Sequence, residues 1–147
     1  MLGYSWLYLL LAAMAGLTMA VQGSINSVLG KKIGLMETNF IVHATAAIIL
    51  LIYFIFNFEN GNFNSWKGAP WFLYIGGVLG IAITYLVMVS IPELGVAVAT
   101  TSIVTAQVLT AACIDHFGLF GLEQVPFTWV KFVGVLFLAA GVRLLLN

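Results

Sequence analysis

The amino-acid sequence predicts an all-α integral membrane protein that crosses the bilayer five times. Of its 147 residues, 63% are hydrophobic and only 7% are charged, whereas roughly a quarter of the residues in a soluble domain are charged. Four long stretches carry no Asp, Glu, Lys or Arg, at residues 1–30, 38–58, 68–92 and 94–114. Each stretch is at least as long as the ~20 residues that an α-helix needs to cross the hydrocarbon of a bilayer.

The first two predicted helices occupy about residues 5–29 and 38–57. The segment GKKIG, residues 30–34, separates them. Glycines and lysines are typical of a helix end at a membrane surface, so we expect the first helix to stop before this segment. The second helix runs up to the polar segment NFENGNFNSWKGAP, residues 57–70, which we predict to be a loop.

The other three predicted helices follow this loop, at about residues 70–91, 95–114 and 126–146. Pro70 suits the first turn of a helix because its missing N–H would have no partner there. The last stretch contains only Lys131 and Arg143 as charged residues. Both lie near its ends, where long side chains carry a charge to the interface. We therefore predict one membrane domain over residues 1–147.

The tryptophans support five crossings. In this arrangement all four lie on one side of the bilayer, at Trp6, Trp66, Trp71 and Trp129. An interfacial belt of aromatic residues is expected at such a surface, and a wrong number of helices would have scattered them.

The distribution of basic residues leaves the orientation open. The tryptophan side carries two of them, Lys67 and Lys131, and the opposite side carries three, Lys31, Lys32 and Arg143. This difference is too small to fix the direction of insertion. Either the insertion machinery or a partner orients the chain, or the chain inserts both ways and pairs with an inverted copy of itself.

The first predicted helix carries two stripes of unusual residues. Thr18, Gln22 and Asn26 are spaced four apart and therefore share one face. Beside them runs a stripe of small residues that includes Gly16 and Gly23, and such stripes let helices approach closely in lipid. The polar face either forms hydrogen bonds between helices or lines a substrate cavity, and we expect the second role.

The fourth predicted helix is polar around its whole circumference. Its side chains include Thr100, Thr105 and Gln107, which point in different directions. A helix that faced lipid would hide such groups on one side, so this helix is expected to be central and to contribute these three residues to the substrate site. Threonine hydroxyls can also bond to the carbonyl one turn earlier, which makes Gln107 the strongest of the three candidates.

Four further glycines are predicted to pack helices together: Gly76, Gly80, Gly134 and Gly141. Two ionisable residues are candidates for proton coupling or for a vestibule, His43 and Asp115. His43 is also a candidate for substrate binding, since imidazole changes its charge near neutral pH. The alternative is that His43 packs as a hydrogen-bonded residue and that Asp115 caps loop amides.

Several classes of function are not supported by the sequence. Motifs of metalloproteases, serine hydrolases and phosphate-binding loops are absent, so we expect neither an enzyme nor a cofactor. Cys113 is the only cysteine, which argues against a cysteine-based metal site, and the net charge of zero gives no reason to expect nucleic acid as a partner. Because the central turns of the helices lack a carboxylate, neutral, zwitterionic or anionic substrates are expected over permanent cations.

Four motifs together resemble one bacterial family. They are QGSIN (22–26), PELG (92–95), Ala106-Gln107 and IDHFGLFG (114–121), of which the last is the most specific. They are similar in order and spacing to the YdcZ-like five-helix family of unknown function, whose members are proposed inner-membrane exporters allied to the drug/metabolite transporter superfamily. One departure is Ala106, where the family pattern has glycine.

The resemblance implies a drug/metabolite-transporter-like fold that assembles as an antiparallel dimer with inverted topology, because fused members of the family contain two halves of opposite orientation. The partner would be a second copy of the chain or a homologous chain. We therefore expect an exporter of a small polar or amphipathic metabolite in the bacterial inner membrane, which works by alternating access. The alternative is a structural or regulatory membrane subunit that transports nothing.

Overall fold

The structure is a computed structural model that describes residues 6–57 and 68–146. These residues form five α-helices: α1 (Trp6–Ile33), α2 (Leu35–Asn57), α3 (Gly76–Leu94), α4 (Val96–Phe117) and α5 (Trp129–Leu145). The all-α prediction is therefore confirmed. Most of the predicted polar loop, including Trp66, lies outside the described residues, as does the predicted start of the first helix at Ser5.

The break between α1 and α2 is a single residue. The lysine-containing segment that was expected to separate them is helical, and α1 continues to Ile33. Gly34 alone departs from the helix, with φ of 104°, a backbone conformation that glycine adopts without a steric penalty. The N–H of Gly34 donates to the carbonyl of Gly30 at 3.0 Å, and its own carbonyl accepts from the N–H of Thr38 at 3.1 Å. These bonds satisfy the helix ends, so no longer loop is needed.

The ends of α3 and α5 also differ from the prediction. A short 3₁₀ helix, Trp71–Tyr74, precedes α3. At its other end α3 runs through Pro92 to Leu94, because proline has a helical φ and forfeits only one backbone bond there. The start of α5 lies after the predicted Pro126, because Thr128 caps this helix: its hydroxyl accepts from the N–H of Lys131 at 3.3 Å.

Four helices, α1 to α4, are long and apolar enough to cross a membrane by length and composition. The fifth, α5, has 17 residues, slightly fewer than the ~20 of an untilted span. The structure thus supports a membrane protein with four candidate spans among the described residues. A crossing by α5 stays a prediction.

The chain divides into two compact units, Met1–Pro92 and Glu93–Asn147. In the first unit α1 packs against α2, and α3 contacts both helices. The buried positions of the first unit include polar side chains, while its large apolar side chains such as Leu17, Ile49 and Phe56 are exposed. Such an exposed apolar surface with polar groups inside suits lipid as the surrounding solvent.

In the second unit α4 packs against α5. Their connection is held close to the end of α4 by three hydrogen bonds. The N–H of Val125 donates to the carbonyl of Asp115 at 2.8 Å. The N–H of Phe127 donates to Nδ1 of His116 at 3.1 Å, and the side-chain amide of Gln124 donates to the carbonyl of His116 at 2.8 Å. The connection is therefore fixed against the last turn of α4.

Candidate functional site

Among the described residues of the first unit, four polar side chains are buried on the two helices that meet at the Gly34 break, and we refer to them as the polar cluster. They are the polar side chains that are at most 7% exposed, Asn26, Ser27, Thr38 and Asn39. The first two come from the second half of α1 and the other two from the start of α2. Polar groups at membrane depth are costly unless another polar group meets them. This cluster is therefore the strongest candidate for a functional site in the first unit.

Glycines on α1 allow α3 to approach this cluster. A Cβ on Gly23 would lie 2.9 Å from Cγ1 of Val87, and one on Gly30 would lie 3.3 Å from Sδ of Met88. Both distances are shorter than an ordinary van der Waals contact, so the backbone of α1 meets the side chains of α3 directly. Small residues at these positions permit this close approach of two helices.

Asn39 joins α2 to α3. Its side-chain amide donates to the carbonyl of Ile81 at 2.8 Å. The side chain is 2% exposed, and its Oδ1 atom has no hydrogen-bond partner among the described residues. An amide oxygen without a partner in a low-dielectric interior costs free energy comparable to a lost hydrogen bond. This oxygen is thus an acceptor that a polar ligand or a water molecule would satisfy.

His43 lies one turn after Asn39 and faces the same segment of α3. Its Nδ1 atom is 2.9 Å from the carbonyl oxygen of Asn39. That nitrogen must carry a proton to bond to a carbonyl, so Nε2 is an acceptor when the ring is neutral. A Cβ on Gly80 would lie 3.2 Å from Nε2. The missing side chain of Gly80 therefore makes room for the imidazole.

The predicted polar face of α1 is divided between two environments. Thr18 is exposed, and its hydroxyl donates to the carbonyl of Met14 at 2.9 Å. Gln22 is exposed as well, whereas Asn26 is buried. Positions four apart drift by about 40° around a helix, which turns Asn26 toward the interior. The structure brings Asn26, but not Thr18, into the buried cluster.

The candidates on α4 lie in the second unit. Thr100 and Thr105 are half-buried, and Gln107 is exposed. The hydroxyl of Thr105 donates to the carbonyl of Thr101 at 2.8 Å, within the same helix. Local bonds of this kind occupy the hydroxyl proton but leave the oxygen free to accept from a ligand. Substrate binding by these residues stays a prediction.

The other predicted packing glycines have no close neighbour. A Cβ on Gly16, Gly76, Gly134 or Gly141 would meet no heavy atom within 4 Å. If these positions pack helices together, the helix against them belongs to another chain or to residues that the structure does not describe. Their role in packing therefore stays a prediction.

Asn39 is the residue that the sequence analysis missed. Its spacing to His43 in an otherwise apolar stretch was the available signal, because residues four apart lie on the same face of a helix.

Asp115 is half-buried at the end of α4. Among the described residues, no group of three His, Cys, Asp or Glu side chains is arranged to hold a metal ion.

These features define a polytopic helical membrane protein with a small polar core. The chain belongs to the family described as "Putative inner membrane exporter, YdcZ", whose profile matches residues 7–144. The resemblance of the motifs in α1 and α4 to this family is thereby confirmed. No curated protein and no solved structure matches the chain.

Proposed function

We propose that the protein exports a small polar or amphipathic molecule across the bacterial inner membrane by alternating access. Membership of a family of inner-membrane exporters supports transport rather than catalysis. The observation that carries the proposal is the unpartnered Oδ1 of Asn39 in a buried cluster, within a chain whose outer surface is apolar. Polar groups at membrane depth commonly line a path for a substrate.

Each unit contributes polar side chains to substrate binding in this proposal. Asn26 and His43 would contact the substrate in the first unit, together with Asn39. The other contributors are the predicted residues Thr18, Gln22, Thr100, Thr105 and Gln107. All of these groups are neutral when His43 is unprotonated, so they offer donors and acceptors without a fixed charge. Neutral, zwitterionic or anionic substrates therefore fit better than permanent cations.

The assembly in this proposal is an antiparallel dimer. Secondary transporters commonly use two inverted repeats around a central site, and a chain with five helices cannot contain an inverted copy of itself. Exposed Gly76 supports a second chain, because a Cβ there would meet no heavy atom within 4 Å and small residues in lipid favour close helix approach. The partner is a second copy or a homologous chain of opposite orientation.

Cysteine labelling tests the dual orientation. Glu123 is exposed in the segment after α4, so Glu123→Cys with Cys113→Ser provides one reporter. We expect a membrane-impermeant maleimide to label this cysteine from both sides of the membrane in comparable amounts. Labelling from one side alone would contradict the homodimer and favour a homologous partner.

Transport is tested with purified protein in liposomes, screened for solute-dependent currents and uptake with and without a pH gradient. Gln22→Leu is the informative variant because Gln22 is exposed and contributes no core contact. We expect transport to fall by about tenfold or more, the loss of a hydrogen bond worth ~1.4 kcal/mol, with the dimer intact. Val21→Leu, at the adjacent exposed position, is the matched control.

The opposite result would favour the structural subunit. If Gln22→Leu dissociates the dimer but leaves the activity per dimer unchanged, the residue packs helices and does not bind substrate. Robust transport of quaternary ammonium compounds that is lost in Asp115→Asn would contradict the proposed substrate class.

A further inference from the structure

A cavity of about 400 Å³ lies between α4 and α5 in the second unit. Its apolar lining includes Val108 and Ala112 from α4 and Gly134 and Leu138 from α5. The volume falls within the range of ~300–1,000 Å³ that is typical of small-molecule sites. The cavity shares none of its lining with the polar cluster of the first unit.

Two opposite charges line the same cavity. Asp115 comes from the last turns of α4, and Lys131 from the first turn of α5. Among the described residues the two do not pair with each other or with another charged side chain, although both are half-buried. Nζ of Lys131 donates to the carbonyl of Pro126 at 3.2 Å, which leaves it two further donors. The cavity therefore presents one acidic and one basic group to a ligand.

The charged and apolar parts of the lining are separated along the helices. Val108 precedes Asp115 by two helical turns, and Leu138 follows Lys131 by the same distance. At 1.5 Å per residue the apolar lining extends ~10 Å from the charged pair. The charged pair lies at the helix ends next to the connection, and the apolar part lies along the membrane-facing helices. A ligand that matches this lining has a charged head and an apolar chain.

We propose that this cavity binds a zwitterionic phospholipid with an ethanolamine headgroup. The ammonium group would pair with the carboxylate of Asp115, the phosphate would pair with the ammonium of Lys131, and the start of an acyl chain would fill the space beside Gly134. A purely anionic lipid would place its charge beside Asp115, and a water-soluble zwitterion would leave the apolar lining uncovered. This lipid site is separate from the proposed transport path.

Native mass spectrometry of delipidated protein tests the proposal. The detergent-solubilised protein is titrated with phosphatidylethanolamine, phosphatidylglycerol and diacylglycerol of the same chain length. We expect phosphatidylethanolamine to bind about tenfold more tightly than the other two, which is the factor that one well-made charged contact supplies. Equal binding of the three lipids would overturn the proposal. So would full competition by glycerophosphoethanolamine, which carries the same head without chains.

Charge variants test the head of the site. Asp115→Asn and Lys131→Gln should each remove the preference for phosphatidylethanolamine. The second variant keeps the cap of α5, because the backbone N–H of residue 131 still donates to the hydroxyl of Thr128. Glu123→Gln and Lys32→Gln remove the same charges at exposed positions elsewhere and should leave the preference unchanged. Variants at 115 and 131 that keep the preference would overturn the proposal.

Glycine variants on α5 test the apolar part. A Cβ on Gly134 or Gly141 meets no heavy atom within 4 Å, so a larger residue brings no clash at its Cβ at either position. Only Gly134 lines the cavity. We expect Gly134→Leu to weaken binding of phosphatidylethanolamine by about tenfold and Gly141→Leu to leave it unchanged, with equal helicity by circular dichroism. The reverse order would place the lipid elsewhere.

Discussion

Two glycines of the first unit, Gly23 and Gly80, and the two glycines of α5 in the second unit lie in opposite surroundings. A Cβ on Gly23 or Gly80 would press on a side chain of another helix at 2.9 Å or 3.2 Å. A Cβ on Gly134 or Gly141 would meet nothing within 4 Å. The same residue type thus closes an interface in one unit and leaves a surface open in the other.

This difference separates two uses of small residues in a membrane. In the first unit the small residues let side chains of α3 reach the backbone of α1, and the polar cluster lies beside this contact. In the second unit Gly134 lines a cavity that carries two charges. The contact between α1 and α3 is therefore made within the chain, whereas the surface of α5 is open to a lipid or another chain.

The largest expected effect is a loss of stability in Gly23→Leu. Its Cβ would lie 2.9 Å from Cγ1 of Val87 and 3.3 Å from Cδ1 of Ile91, and valine has little rotamer freedom to move away. Overpacking of this kind costs about 1–3 kcal/mol. The free energy of unfolding is measured by titration of mixed micelles with SDS.

Gly16→Leu is the matched control on the same helix. No heavy atom lies within 4 Å of its added Cβ, and leucine has the higher helix propensity by roughly 0.8 kcal/mol. Unchanged or slightly higher stability is expected. Equal destabilisation by Gly23→Leu and Gly16→Leu would contradict the contact between α1 and α3 at Gly23.

The next effect concerns the cross-helix bond of Asn39. Asn39→Ala removes the donor to the carbonyl of Ile81 and should lower the free energy of unfolding by about 1–2 kcal/mol. Asn57→Ala is the control, because the amide of Asn57 donates to the carbonyl of Tyr53 on its own helix, at an exposed position. We expect this control to stay within ~0.5 kcal/mol of the wild type. A smaller loss in Asn39→Ala than in Asn57→Ala would contradict the contact between α2 and α3.

The sequence predicted which segments are helical, because charge-free runs of sufficient length allow few other structures in a membrane. It failed at the helix ends. Gly30 and the two lysines after it indicated the end of the first helix, but α1 continues to Ile33. The left-handed conformation of Gly34 alone is enough to separate α1 from α2. Pro126 indicated the start of α5, but the side chain of Thr128 provides the cap.

The candidate site was predictable only in part. Periodicity placed Gln22 and Asn26 on one face of α1, but the drift of the helix decides which of them is buried. The spacing of Asn39 to His43 was a signal, but the role of Asn39 could not be predicted from it, since that role depends on the carbonyl of Ile81, 42 positions away. Contacts of this range depend on tertiary packing, which local spacing does not encode.

A smaller effect is expected for the pair His43 and Gly80. In Gly80→Ala the new Cβ would lie 3.2 Å from Nε2 of His43, so the ring must shift and its bond to the carbonyl of Asn39 must weaken. The higher helix propensity of alanine offsets part of this cost. A double-mutant cycle isolates the contact. We expect a coupling free energy of about 0.5–1 kcal/mol between Gly80→Ala and His43→Ala. Additive effects would show that the ring does not occupy the space beside Gly80.

The smallest expected effect is that of Thr105→Val, and Thr38→Val is its comparison because the two threonines make the same local bond. The hydroxyls of Thr38 and Thr105 each donate at 2.8 Å to the carbonyl four residues earlier. Valine has nearly the same shape, so substitution removes little except the hydroxyl. Thr38 is 0% exposed in the polar cluster of the first unit, and Thr105 is half-buried on α4. Thr38→Val should therefore cost about 1 kcal/mol in unfolding free energy, the net value of a buried hydrogen bond. Thr105→Val should cost less than ~0.5 kcal/mol, because a helix loses little when a local back-bond is removed. If Thr105→Val proves as costly as Thr38→Val, the hydroxyl on α4 has a polar neighbour in the assembled protein, and the second unit is less open than its glycines indicate.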